Sequence, residues 1–294
     1  MYIAKLMHHR WEEEPISGIA KGKNGTFAIF FYGCNMRCVY CQNSKISHIN
    51  IKNLKAQMNF ERDNSNDETT NLKKVLWSPE ELSDEMIKAE ASNVASVSFI
   101  TGVLYVDEIV LTIKLAKEKG LKIPIVYNSS AYEPVSQIKK LEGLIDIYLP
   151  DFKYFDNEIG NKFSKVNNYP DVAKKCIAEM YRQVVGANAN LKGAEHGEPT
   201  LIVRHLVLPA HTENSKQVIK YLYDTYGDDI CLSIMSQYTP MIENEGIVSF
   251  PELTRKLTKR EYDKVVNYAM SLGVKNAYIQ DGDVALESFI PEFS

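Results

Sequence analysis

Three of the five cysteines, Cys34, Cys38 and Cys41, fall within the short stretch "GCNMRCVYCQN". Thiolates are nucleophiles, redox groups and metal ligands, so their clustering marks a chemical centre. Their number separates the options. A structural zinc site takes four protein ligands, commonly as two separated pairs, and this sequence has no second pair, leaving His48 as a nearby fourth donor. "CVYC" alone suits a thioredoxin-like redox pair, which would leave Cys34 without a role. An iron–sulfur cluster held by three thiolates leaves one iron without a protein ligand, the open position that a reactive cluster needs and a pure electron carrier does not.

Other candidates sit where apolar runs end. "VYNSSAYE" ends in Asn128, Ser129 and Ser130, which suit either ribose and methionine contacts or an ordinary Ser/Asn-capped turn. In "LPDFK", Asp151 and Lys153 are two residues apart at a strand end and share a face, as a surface pair or as the holders of a charged cofactor. Arg204 interrupts an apolar run, and a buried arginine needs an anion. Its neighbour His205 points to the opposite face and reads as a packed or hydrogen-bonded histidine. Gln237, before Tyr238, completes the set as either a turn residue or a cofactor contact. Cys176 lies on a helical stripe with Val172 and Met180, and Cys231 opens a strand, so both read as core.

These residues must be positioned by a regular frame. Strands are expected at 26–32, 94–100, 123–128, 144–150, 200–209, 230–236 and 276–280, alternating with amphipathic helices, which is the signature of βα units and a parallel sheet. Ser78 and Glu81, and again Thr258 and Glu261, form capping boxes; Val106, Ile109, Ile113 and Ala116 make a helical stripe ended by Gly120. Six or seven such units predict a complete or partial barrel, with chemistry at the carboxyl ends of the strands. The cysteine loop follows the first expected strand and so belongs on that face. Residues 52–76 are polar and aperiodic and read as an insertion, and 186–199 as a loop. The 294 residues are expected to form a single domain, with its core over 26–294.

Composition narrows the partners. Apolar residues make 45% and charged residues 24% of the chain, and a formal net charge of −4 argues against nucleic acid. "MYIAKLMHHRWEEEP" has no apolar run of signal-peptide length and "FAIFF" is too short to span a bilayer, so a cytoplasmic, membrane-free protein is expected. Sparse, odd-numbered cysteines in a reducing compartment favour metal or redox use over disulfides.

"YGCNMRCVYCQN" resembles the C-x3-C-x2-C loop of radical S-adenosylmethionine (SAM) enzymes, including the aromatic Tyr40 before the third cysteine. Together with "PIVYNSSAYE", "IDIYLPDFKYFD", "LIVRHLVLP", "IMSQYTP" and "ESFIPEF", it is similar to the pyruvate formate-lyase activating enzymes, from about Thr26 to the C-terminus. The resemblance implies a partial (β/α)6 TIM-like barrel. It implies a [4Fe–4S] cluster on Cys34, Cys38 and Cys41, with S-adenosylmethionine chelating the fourth iron and cleaved to a 5′-deoxyadenosyl radical. It further implies cofactor contacts from Tyr40, Asn128, Ser129, Asp151, Lys153, Arg204 (to the cofactor carboxylate) and Gln237. The family's "GGE"-like segment reads "FITGVLY" here, so recognition of the methionyl amine falls to Thr101, Gly102 and their backbone. With no extra cysteine set, a single cluster reduced by flavodoxin or ferredoxin is implied. The expected substrate is a glycine of a glycyl radical enzyme; the alternatives are a small molecule or peptide, or a noncatalytic iron–sulfur or metal-binding module, which the missing carboxylate would favour.

Overall fold

A computed structural model describes residues 1–54, 75–185 and 200–280. Most of the polar insertion, the loop at 186–199 and the "ESFIPEF" segment lie outside the described residues. The strands are β1 (Ile3–His9), β2 (Thr26–Phe31), β3 (Ser96–Ile100), β4 (Ile125–Ser129), β5 (Ile147–Pro150), β6 (Ile202–Leu206), β7 (Cys231–Met235) and β8 (Ala277–Ile279). The helices are α1 (Glu14–Ser17), α2 (Ser44–Ser47), α3 (Pro79–Ala91), α4 (Val106–Glu118), α5 (Val135–Lys140), α6 (Asn157–Ser164), α7 (Tyr169–Val184), α8 (Thr212–Tyr226) and α9 (Lys259–Leu272).

β2 to β5 are parallel neighbours in order, as are β6 to β8. Parallel bridges at Tyr148–Leu201 and Asp151–Arg204 join the two groups, with Tyr148 N donating to Thr200 O at 2.9 Å and Phe152 N to Arg204 O at 2.8 Å. The result is a partial TIM-like barrel of α/β class, as the βα rhythm predicts. β1 was not foreseen: it adds antiparallel to β2, pairing Ile3 with Phe31 and His9 with Thr26.

Local signals form the helices as expected. Both capping boxes are complete, at Ser78 with Glu81 and at Thr258 with Glu261, each satisfying amide donors that a helix start leaves open. The α4 stripe is buried, and Gly120 takes a left-handed φ of +98° just past the helix. Cys176 and Cys231 are buried in the core.

Strand alternation then divides the barrel into two faces. Outward residues such as Phe27, Ile29, Val97, Phe99, Tyr127, Tyr148 and Val203 pack into the main core. Inward residues change character along the axis. At the amino ends of the strands, Val126, Ile147, Leu149, Ile202 and Cys231 close around Ile16 of α1, whose carbonyl accepts from Ser96 Oγ at 2.7 Å. The segment after β1 therefore plugs the barrel at the amino ends of the strands. Among the described residues no helix is long and apolar enough to cross a membrane.

Candidate active site

The cysteine loop leaves β2 and is held from several sides. Arg37 N donates to Ser164 O at 3.0 Å and Val39 N to Phe163 O at 2.8 Å, so the loop docks on the carboxyl end of α6. The Arg37 guanidinium donates to the carbonyls of Cys34, Met36 and Ser47 at 3.2, 3.3 and 3.0 Å. Asn244 Nδ2 donates to Val39 O at 3.0 Å and Cys41 O at 2.9 Å. These contacts satisfy loop carbonyls that would otherwise be buried without partners. They also fix where the three sulfurs point.

Each sulfur has a polar neighbour. Met36 N donates to Cys34 Sγ at 3.4 Å, Ser164 Oγ to Cys38 Sγ at 2.9 Å, and Ser47 Oγ lies 3.2 Å from Cys41 Sγ. Burial pushes all three thiols up, Cys38 to about 12, while Lys153 pulls in the opposite direction. Burial thus favours the protonated form of each thiol, and a metal bound there would have to displace those protons.

The three cysteines line one cavity of about 240 Å³ at the carboxyl ends of the strands. Tyr40, Thr101, Asn128, Asp151, Lys153, Arg204 and Gln237 line the same cavity, so ten of the twelve expected residues come together. Lys153 Nζ donates to Asp151 Oδ2 at 2.5 Å. Although burial opposes its charge, Asp151 and the cysteines hold the Lys153 pKa above the usual lysine value. Thr101 sits at φ +56°, a conformation costly for a β-branched residue, and its N–H donates to Asn128 O at 2.9 Å.

Gly102 and Ser129 do not line the cavity. A Cβ on Gly102 would meet Ile109 Cδ1 at 2.3 Å, so this glycine permits α4 to pack closely on the end of β3. Ser129 follows inward Asn128 and therefore faces outward, where it accepts from Ala131 N at 2.9 Å and donates to Glu133. Ser130, the next inward position, lines the cavity instead, and its buried Oγ has no hydrogen-bond partner among the described residues. His205, outward as expected, pairs its Nδ1 with Phe152 O at 2.7 Å.

Arg204 shows a different anion from the expected one. Its guanidinium pairs with Glu12 and Glu13, with Nε donating to Glu13 Oε1 at 2.9 Å. Burial opposes its charge, but the two carboxylates hold its pKa well above the ordinary value. The chain itself thus supplies the counter-charge, from the segment that plugs the barrel, and Arg204 forms part of the cavity floor.

The outward Ser129 network gives a pH prediction. Glu133 is fully buried and accepts from Tyr127 Oη at 2.9 Å; burial raises its pKa to about 7 even though the Ser129 and Tyr127 hydroxyls offset part of the shift. An acid with a raised folded pKa binds its proton more tightly folded than unfolded, so its contribution falls as pH rises from about 4.5 to 7 and is flat above. Glu133→Gln should remove up to about 3 kcal/mol of that fall. Denaturant unfolding at pH 5 and pH 8 checks this; an equal pH dependence in both proteins would refute it.

The donor set can be tested against an iron–sulfur cluster. Among the described residues no three His, Cys, Asp or Glu side chains are grouped closely enough to hold one metal ion, while three soft sulfurs face a shared cavity. That arrangement suits a larger multi-iron cluster with an open corner, and Ser130, whose buried Oγ has no hydrogen-bond partner among the described residues, belongs to the same lining. The family model for the radical SAM superfamily matches residues 28–222, which include the loop and most of the barrel. The chain belongs to the radical SAM superfamily. This family uses a [4Fe–4S] cluster and S-adenosylmethionine.

The radical SAM chain is 29% identical over 241 residues to "Uncharacterized protein MJ0674" of Methanocaldococcus jannaschii, covering 82% of this chain and 61% of that protein. It therefore spans less than two thirds of that relative. Among solved structures it resembles Streptococcus suis SuiB bound to S-adenosylmethionine (13% identity, TM-score 0.53, covering 86% of this chain and 49% of that one). SuiB bound to its precursor peptide SuiA gives 12% identity and a TM-score of 0.52, with 86% and 47% covered. Both likenesses bear on the fold alone.

Proposed function

We propose that the chain is a radical SAM enzyme in which Cys34, Cys38 and Cys41 hold the cluster and the polar ring above the plugged barrel holds S-adenosylmethionine. When bound, these groups supply reductive cleavage of the sulfonium S–C5′ bond and a 5′-deoxyadenosyl radical that takes a hydrogen atom from a substrate. The observation that carries this reading is the convergence of the three sulfurs with Thr101, Asn128, Ser130, Asp151, Lys153 and Gln237 on one cavity. Lys153 sets a fixed positive charge beside the thiolates, with Asp151 orienting it. The hydroxyls and amides of Thr101, Asn128, Ser130 and Gln237 offer donors and acceptors for ribose and methionyl groups. Ile100, Leu206, Met36 and Met235 keep the wall dry, which protects a reactive intermediate from water.

The proposed substrate is a glycine Cα–H of a glycyl radical enzyme, supported by the run of motifs similar to activating enzymes, with flavodoxin or ferredoxin as the electron donor. A cytoplasmic setting agrees with five free thiols. A peptide substrate is the second reading; SuiB, which shares this fold, is seen with its precursor peptide bound.

The test is anaerobic reconstitution with iron and sulfide, then reduction with S-adenosylmethionine and measurement of 5′-deoxyadenosine. The expected result is product from the native chain and none from the Cys34→Ala, Cys38→Ala, Cys41→Ala variant. A fully loaded [4Fe–4S] protein that makes no product would replace this reading with a noncatalytic cluster-binding one.

A further inference from the structure

Three hydroxyls stand in a row behind one of the cysteines. Tyr40 Oη bonds to Tyr154 Oη, Tyr154 Oη lies 2.6 Å from Ser164 Oγ, and Ser164 Oγ lies 2.9 Å from Cys38 Sγ. All four residues are buried, Tyr154 and Ser164 completely. The row runs from Tyr40 in the cysteine loop, through the segment after β5, to the last residue of α6, and back to Cys38 in the same loop.

The proton inventory fixes its direction. Each hydroxyl has a single proton, and a thiolate accepts but cannot donate. When Cys38 is a metal-bound thiolate, Ser164 must donate to it, which leaves Ser164 free only to accept from Tyr154. Tyr154 must then accept from Tyr40. Every O–H in the row points towards one sulfur. Aligned hydrogen bonds polarise one another, so the last of them is stronger than an isolated serine would give.

Among the described residues the other two sulfurs have no such row. Cys34 receives one backbone N–H at the longer distance of 3.4 Å, and Cys41 faces Ser47 Oγ at 3.2 Å. Cys38 is thus the sulfur with the closest and best-supported donor. Hydrogen bonds to cluster sulfurs favour the reduced form, because they stabilise the negative charge that an added electron places on them.

We propose that Tyr40, Tyr154 and Ser164 are positioning residues that act through Cys38 to raise the potential at which the cluster accepts its single electron. This rests on the cluster reading above. The relay moves no net proton: one electron is taken from an external one-electron donor and the three O–H groups remain bonded. A tyrosine before the third cysteine therefore has two functions, contributing to the cavity lining and supplying the far end of the relay with its hydroxyl.

The experiment is a mediated redox titration of the anaerobically reconstituted chain, followed by electron paramagnetic resonance of the reduced cluster, with iron and sulfide content measured in parallel. Ser164→Ala should shift the midpoint to more negative potential by the largest amount, Tyr154→Phe by less and Tyr40→Phe by least, since each removes a donor farther from the sulfur. Ser164→Thr, which keeps the hydroxyl, should restore the native value. If Ser164→Ala fails to load, Tyr154→Phe decides, because it leaves Ser164 and the ring packing in place. Equal midpoints in loaded native, Tyr154→Phe and Ser164→Ala proteins would overturn the relay while leaving the cluster reading intact. A native chain that assembles no [4Fe–4S] cluster would overturn both.

Discussion

Arg204→Met is expected to destabilise the chain by about 3–5 kcal/mol, the range for breaking a buried ion pair from one side. The guanidinium is 12% exposed and its partners Glu12 and Glu13 are 6% and 8% exposed. Removing the cation leaves the two carboxylates that shared it without that partner, in a low-dielectric floor between the apolar plug around Ile16 and the cavity. Glu13 illustrates what is lost: burial alone would raise its pKa, yet Arg204 holds it below the ordinary value. Methionine keeps most of the side-chain volume, so the cost measures charge rather than a void. Combining the change with Glu12→Gln and Glu13→Gln should recover most of the stability, because the repelling charges are then gone as well. Denaturant unfolding of the cluster-free chain reads both effects without any bound ligand. A loss under about 1 kcal/mol in Arg204→Met would mean that the two glutamates do not depend on this arginine.

The same arginine shows what the sequence can and cannot disclose. That Arg204 is buried and needs an anion follows from its place in an apolar run. Which anion it finds does not, because Glu12 and Glu13 lie more than 190 positions away, in a segment that carries no periodicity to announce a strand and a plug. The cysteine motif was legible because its spacing is local. The residues that fix it, Ser164 and Asn244, are distant in sequence and carry no motif of their own. Ser129 and Ser130 make a subtler case. Strand alternation requires that only one of two neighbours face the barrel, but a parallel strand is apolar on both sides, so "IPIVYNSS" does not say which parity is inward. Only the packing of Tyr127 and Glu133 against the outer helices decides it in favour of Ser130. At Gly102 the sequence does not disclose the approach of Ile109, which is set by how α4 folds back on β3.

Lys153→Met should cut the rate of 5′-deoxyadenosine formation by about 30-fold or more while leaving the fold in place. The Lys153 backbone is held independently of its side chain, with its N–H donating to Tyr169 Oη at 3.0 Å and its carbonyl accepting from Asn214 Nδ2 at 3.2 Å. Its ammonium interacts electrostatically with all three cysteine sulfurs and with Asp151. Opposite unit charges about 4 Å apart at an effective dielectric of about 20 attract by roughly 4 kcal/mol. Losing half of that in the step that places an electron beside the thiolates already amounts to about 30-fold, at 1.36 kcal/mol per decade of rate. Removing the cation also strands Asp151 at the cavity wall, adding a repulsion between carboxylate and thiolates. Asp151→Asn supplies the contrast, since it keeps the ammonium, removes a negative charge and should cost less than Lys153→Met. Iron and sulfide content separates two routes to the loss: a Lys153→Met protein with full cluster and slow turnover places the effect on the electron-loaded state, whereas low iron places it on cluster assembly. Native rates with full cluster would show that neither the ammonium's charge nor its neutralisation of Asp151 governs turnover, and the cavity's electrostatics would then have to come from its backbone dipoles.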